Sequence, residues 1–272
     1  MLFHKKLEKG NIGDINYANG SIRFKSVNLN VYSYAIDGII IDAGSQSLAK
    51  LFQSFFNAQS IDALYCTHIH EDHTGGAGWL QQKHGIPVFL PSISIPEALK
   101  KGNYPLYRQI FWGKRRIFNP TPVPEAFQSR TYNWKSIFTP GHSADHTAYL
   151  NTSTGQLFSG DLFVQVRTKV IMDTESIPQI IDSIERVLTY DFTEMFCNHA
   201  GYIKDGKQMF KDKLAYLNQL TYEVQKLHQQ GMDVNTIQQQ LFPRKYPITT
   251  FSRGQWDSKH IVTSILEKQP VR

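Results

Sequence analysis

The chain has 272 residues, 41% hydrophobic and 19% charged, with a formal net charge of +6. That balance excludes a disordered chain, and no run is both long and apolar enough for a membrane span. The mild positive charge permits an anionic small molecule without requiring nucleic acid.

The first fifteen residues carry no clear pattern. Residues 22–25, 31–36 and 39–41 are rich in Ile, Val and aromatics and are expected to be strands, with Asp37-Gly38 as a hairpin turn. Asp42 follows the third of these. Its carboxylate suits either closure of the turn or orientation of a metal-bound histidine. Residues 47–56 fit an amphipathic helix, with Leu48, Leu51, Phe52, Phe55 and Phe56 on one face. Residues 61–66 fit a short buried strand, and it leads into Thr67-His68-Ile69-His70-Glu71-Asp72-His73.

This stretch is dense in metal-type side chains. In an extended segment His68 and His70 share a face, and the following turn lets Asp72 and His73 reach a second point nearby. One loop cannot complete a tetrahedral site, so further ligands must come from elsewhere. The competing reading is a run of surface histidines. Gly75, Gly76 and Gly78 break the chain, a helix begins near Gly78, and residues 86–90 fit another strand.

Residues 92–130 are punctuated by prolines and interleave aromatic with basic side chains at Tyr107, Arg108, Phe111, Trp112, Arg115 and Arg116. A partly helical insertion is expected there, packed by its aromatics or serving as a lid over substrate. Strand pattern resumes at 131–137, and Thr139-Pro140-Gly141-His142-Ser143-Ala144-Asp145-His146 places another histidine in a glycine-containing loop. A hairpin over 148–158 precedes Ser159-Gly160-Asp161, residues 177–188 fit a helix, and the strand at 194–197 ends in Asn198-His199. From residue 205 the pattern is helical, with a long helix ending at Gly231, a short one at 234–241, and a third at 257–266 for which Asp257 is the expected N-cap.

Four loops at strand ends therefore carry metal-type groups. Their order, Thr-His-x-His-x-Asp-His, Thr-Pro-Gly-His-Ser, Ser-Gly-Asp-Leu-Phe and Asn-His-Ala-Gly, resembles the metallo-β-lactamase superfamily over roughly residues 20–205. The resemblance implies a four-layer αβ/βα sandwich with metals at one edge between two sheets. It implies a catalytic domain over 1–205, including the 92–130 lid, with a helical extension over 206–272 packed on it. It also implies two divalent ions, zinc by default with iron or manganese as substitutes. His68, His70 and His142 would hold the first, Asp72, His73 and His199 the second, and Asp161 would bridge them. In that scheme a metal-bridging hydroxide attacks an ester-like bond, and Asp72 and Asp161 are the catalytic carboxylates. Asp42 and His146 would support the site, His146 either lining the pocket or holding a neighbour.

Departures from subfamilies narrow the activity. The β-lactamases of this superfamily usually carry cysteine where Asp161 stands, and flavodiiron proteins usually carry glutamate where His70 stands. The full set is closest to glyoxalase-II-like thioesterases, lactonases and small endoribonuclease-like members. The expected activity is hydrolysis of a thioester, lactone or phosphodiester in a small molecule. The rivals are a ribonuclease binding a single strand and a mononuclear iron enzyme resembling the persulfide dioxygenases. Residues 1–6 lack the apolar core of a secretory signal. The two cysteines, Cys66 and Cys197, are too few for a disulfide framework and are expected to be reduced and buried, with thiolate ligation the lesser alternative. A cytoplasmic protein is expected, with no membrane partner and with a homodimer permitted.

Overall fold

In this computed structural model, which describes residues 3–267, the chain opens with a hairpin of β1 (His4–Ile12) and β2 (Ile15–Phe24), followed by β3 (Val27–Ile36) and β4 (Ile39–Ile41). After helix α1 (Ala49–Phe56) comes β5 (Ala63–Tyr65), then α2 (Glu71–Thr74), α3 (Ala77–His84) and β6 (Val88–Leu90). Helices α4 (Ile95–Ala98) and α5 (Leu106–Trp112) precede β7 (Thr121–Pro122), which closes a seven-stranded sheet in the order β1 to β7. The second half adds β8 (Ala126–Gln128), β9 (Asn133–Phe138), β10 (Thr147–Asn151) and β11 (Gln156–Gly160). Next come β12 (Ile171–Met172), α6 (Ile177–Leu188), β13 (Glu194–Cys197) and β14 (Gly201–Ile203). The second sheet runs β14-β13-β11-β10-β9-β8. The tail is α7 (Gly206–Gln229), α8 (Val234–Leu241), α9 (Pro247–Phe251), β15 (Trp256–Asp257) and α10 (Lys259–Leu266).

The layering follows from the period-two alternation of strands whose faces are both covered. In β4, Ile40 joins one core while Ile39 and Ile41 join another. In β5, Leu64 faces the first and Ala63 and Tyr65 the second. Across the molecule, Tyr149, Phe158 and Phe196 meet Tyr34, Tyr65 and Ile41 in the core between the sheets. Leu150, Leu157 and Met195 point outward to α6 and the tail helices, through Ile184, Phe210, Leu220 and Val262. Three cores separate four layers, α/β/β/α, as the resemblance implied. The tail helices share the core of the second sheet and α6.

Several local expectations are met closely. Asp37 and Gly38 both adopt positive φ, 47° and 84°, as a tight hairpin between twisted strands requires. Helix α6 spans the expected residues, with the Ser176 hydroxyl accepting from Gln179 N. The N-terminal stretch, which showed no pattern, supplies β1 and the turn of a long hairpin over its described residues. Two expectations need correction. Residues 121–122 and 126–128 belong to the two sheets, so 92–130 is not wholly an insertion. The N-cap of α10 is Ser258, while Asp257 ends β15 and its carboxylate accepts from Lys259 N at 2.9 Å. The outermost residues 1–2 and 268–272 of the expected domain bounds lie outside the described residues.

Candidate metal centre

The site gathers where β4, β5, β9, β11 and β13 end, and four of those strands run in two parallel pairs, β4 with β5 and β11 with β13. Carboxyl ends of parallel strands present their loops on one side, where ligands collect. The loop after β5 turns at once into α2. Its close packing against the loop after β4 explains Gly75 and Gly76. A Cβ at Gly75 would lie 2.3 Å from Gln46 N, and one at Gly76 would lie 2.5 Å from Ala43 O. Strand β11 is irregular between Phe158 and Gly160, and Gly160 has φ of 52°. A Cβ there would meet His146 Nε2 at 2.4 Å. The bulge turns Asp161 into the cluster.

All seven expected residues converge. His70 Nδ1 lies 2.9 Å from His68 Nε2 and 3.1 Å from His142 Nε2. Asp161 Oδ2 lies 3.0 Å from His199 Nε2, 3.3 Å from His142 Nε2 and 3.4 Å from His73 Nε2. Asp72 approaches His199 Nε2 at 3.6 Å and His73 Nε2 at 3.9 Å. Ligand-type atoms lie within 4.8 Å of one another in the sets His68/His70/His142, His68/His73/Asp161 and Asp72/His73/His199.

The outer partners of the imidazoles fix where their protons sit. His73 Nδ1 is 2.8 Å from the Asp42 carboxylate, His142 Nδ1 is 3.2 Å from the Glu175 carboxylate, and His199 Nδ1 is 2.5 Å from the Asn30 carbonyl. Each of these partners only accepts, so each Nδ1 carries hydrogen. The Thr67 hydroxyl donates to Asp42 Oδ2 and therefore accepts from His68 Nδ1 at 2.9 Å. In their neutral forms four histidines thus turn Nε2 lone pairs toward the cluster. His73 Nε2 and Asp161 Oδ1 are buried without a hydrogen-bond partner. Converging lone pairs and orphaned buried atoms are what a divalent cation satisfies, so the donor set fits a metal.

The electrostatics tell the same story. Burial, then the neighbouring imidazoles His73 and His70, hold His68 well below the ordinary histidine range. Burial also acts on His73, but Asp161, Asp42 and Asp72 outweigh it and hold it well above that range. For His199 burial is likewise outweighed by Asp161, and the value rises to about 9. Asp161, despite burial, is held well below the carboxylate range by His199 and His73. Without a cation the cluster retains protons, and metal binding must displace them. Chelation should therefore lower the melting temperature. For a metal held at a hundred times its dissociation constant the loss is about 2.7 kcal/mol, or roughly 5 °C or more in a chain of this size. A thermal shift unchanged by chelator and by added zinc would contradict the fit.

Each loop is tied to its neighbour. Asp42 is fully buried and accepts from Thr67 N and the Thr67 hydroxyl, both at 2.8 Å, besides His73. Asp145 accepts from Ile69 N at 2.8 Å and so joins the His142 loop to the His68 loop. His146, fully buried, accepts from Asp161 N at 2.9 Å and does not line the cavity. Its other nitrogen meets the Thr139 hydroxyl at 2.8 Å. Burial, then the His142 charge, pushes His146 down to about 3 from 6.5. Its neutral form therefore stabilises the fold fully above pH 6.5, and that contribution is lost as pH falls from there toward 3. Replacing His146 with Gln should flatten stability across that window. Equal acid slopes for the two proteins, measured by denaturant melts, would contradict this.

Glu175, Asn30, Thr67 and Asp145 were not singled out from sequence. Thr67 and Asp145 lie within the histidine-bearing stretches and were findable there. Glu175 and Asn30 carry no local signal. Cys66 and Cys197 are buried, and burial pushes both thiols up. Neither belongs to a cluster of potential ligands among the described residues.

A cavity of about 440 Å³ opens onto the cluster, bounded by His70, Asp72, His142, Asp161 and His199 at its base. Its walls come from the β2–β3 turn, α5, the segment from Phe163 to Met172, and the tail through Tyr246, Ile248 and Trp256. Arg108 on α5 clamps Glu71 of α2 through two hydrogen bonds of 2.6 Å. The Tyr107 hydroxyl contacts the Gln255 side chain at 2.5 Å, and β12 pairs with β15, which fastens the tail across the opening.

The fold and the cluster define a two-sheet sandwich protein with a histidine–aspartate centre at one sheet edge. Residues 27–199 match the sequence model of the metallo-β-lactamase superfamily, and the chain belongs to that superfamily. It is 30% identical over 162 residues to a hydroxyacylglutathione hydrolase of Nitrosomonas eutropha, covering 59% of this chain and 56% of that protein. It is 25% identical over 206 residues to an atrochrysone carboxyl ACP thioesterase of Aspergillus fumigatus, covering 72% and 57%. The chain thus spans little more than half the length of these curated relatives. A β-lactamase domain protein from Burkholderia ambifaria superposes with a TM-score of 0.68 at 18% identity, over 95% of this chain and 88% of that one, and shows the shared fold. No helix among the described residues is long and apolar enough to cross a membrane.

Proposed function

We propose that the protein is a dinuclear metal-dependent hydrolase acting on an ester-like carbonyl, foremost a thioester. The observation that carries this reading is the position of Asp161, whose Oδ2 lies within 3.4 Å of imidazole nitrogens of both histidine groups. A carboxylate placed so can serve two ions at once. In this reading His68, His70 and His142 would hold one ion, Asp72, His73 and His199 would hold the other, and Asp161 would be shared between them. Bound there, zinc would supply a water ionised near neutral pH and a Lewis acid for the carbonyl oxygen.

The chain's own residues then divide the work. Asp72, at the base of the cavity and only 7% exposed, is placed to take up and return a proton. Asp42, Thr67, Glu175 and Asn30 hold the imidazoles in the tautomers that the ligands need. The α5 and tail walls exclude bulk water from the opening. The names of two relatives, a hydroxyacylglutathione hydrolase and an acyl-carrier-protein thioesterase, support thioester chemistry. The test is a panel of thioesters, lactones and phosphodiesters presented to zinc-loaded protein at several salt concentrations. Thioester hydrolysis with little salt dependence is expected. Phosphodiester cleavage that weakens steeply with salt would mark a nuclease instead.

A further inference from the structure

We infer, resting on the hydrolase reading above, that the substrate is an uncharged ester or thioester with an extended apolar acyl arm, and that the α5 and tail walls select it. The cavity reaches well beyond the ligand cluster. Its outer walls present Phe111, Trp112, Phe163, Met172, Ile248 and Trp256. The polar groups interspersed there, among them Asn28, Gln165 and Thr168, are neutral.

The charged groups of the cavity are already answered. Arg108 gives two guanidinium nitrogens to Glu71, and its Nη1 faces the Met172 sulfur at 3.8 Å. Lys213 is buried and donates to the carbonyls of Leu162 and Phe163. Glu175 bonds His142 and accepts from Met172 N at 2.9 Å. The remaining acids, Asp72 and Asp161, belong to the ligand cluster. A substrate bearing carboxylates away from its reacting bond would lose their hydration against these walls and gain no unpaired cation in return. Glutathione thioesters carry such carboxylates. An apolar chain gains with each methylene buried, roughly fourfold in binding. The cavity lies within the size range of pockets that enclose whole small ligands.

The test compares kcat/KM of the zinc-loaded full chain on N-acetylcysteamine thioesters, whose carrier is uncharged, from acetyl to octanoyl, and on a hydroxyacylglutathione thioester. We expect kcat/KM to rise at least tenfold from acetyl to octanoyl, mainly through KM, and the glutathione thioester to fall at least a hundredfold below octanoyl. Trp256→Ala should shrink the octanoyl-to-acetyl ratio. Ile248→Arg, which adds an unpaired cation to the wall, should move the preference toward the glutathione thioester. A flat chain-length series or a glutathione preference in the wild type would overturn this inference while leaving the hydrolase reading in place. If zinc-loaded protein hydrolyses none of these thioesters, this inference and the thioester form of the hydrolase reading fail together, and if it also hydrolyses no lactone the hydrolase reading itself fails. The wild-type series decides the matter even where a variant does not fold.

Discussion

On the proposed dinuclear reading, Asp161→Ala is expected to lower turnover by a factor on the order of 10³ or more and to reduce zinc content from two ions to at most one per chain. The reason is geometric. Asp161 Oδ2 sits 3.0 to 3.4 Å from the Nε2 atoms of His199, His142 and His73, and its carboxylate is nearly buried. His73 and His199 are both held above the ordinary histidine range chiefly by this carboxylate. Without it, buried imidazoles and two cations would face one another with less negative charge between them. Asp161→Asn keeps the shape and the hydrogen bond from Asp161 N to His146, so it separates charge from packing. It should fold as well as the parent and still lose most activity. The check is metal analysis of purified variants alongside single-turnover thioester kinetics. A fully active alanine variant retaining two ions would contradict the bridging role.

The second large effect is expected at Asp42. This carboxylate is buried, accepts from Thr67 N, the Thr67 hydroxyl and His73 Nδ1, and sits on a residue with φ of 57°. Asp42→Ala leaves two polar groups of Thr67 and one of His73 unanswered in the interior. A stability loss of about 3 kcal/mol or more is expected. Zinc affinity should fall by roughly 10- to 100-fold, because Asp42 holds the His73 ring and, through Thr67, the His68 ring. Asp42→Asn tolerates the left-handed backbone and still accepts one hydrogen bond, so it should recover part of the stability and less of the affinity. Urea melts and competitive zinc titration measure the two losses separately. An alanine variant with unchanged urea midpoint and unchanged zinc affinity would refute the role.

The seven cluster residues were legible in the sequence because they occur in short stretches whose flanks mark strand ends. His68, His70, Asp72 and His73 announce a centre by density alone. His142, Asp161 and His199 needed the order of motifs, since each by itself is one polar residue beside a glycine or a strand. The groups that orient them were harder to see. Glu175 bonds His142 across 33 positions and Asn30 bonds His199 across 169. Neither has a local pattern, because such pairings depend on how the loops dock.

The same limit explains the fold differences. Strand β1 is mostly exposed and rich in lysine, with Leu7 packing against the core, so it shows no clear alternation, and its partner β2 fixes it through backbone bonds. Helix α9, which the helical pattern of the tail did not show, begins at Pro247, where a missing amide hydrogen is harmless. In the aromatic-basic stretch, expected to pack by its aromatics or to serve as a lid, Arg108 and Arg115 are engaged within the fold. Arg108 turns inward to Glu71, and Arg115 donates to the carbonyls of Ala98 and Glu97. Sequence shows that these cations exist, and only tertiary contacts show that they are engaged.

The most direct measurement of the central claim is a zinc titration of metal-free protein in which thioester hydrolysis and bound metal are followed together. The dinuclear reading predicts that activity climbs to a plateau at two equivalents of zinc per chain. A plateau at one equivalent, or activity that appears only with iron and consumes oxygen, would contradict it.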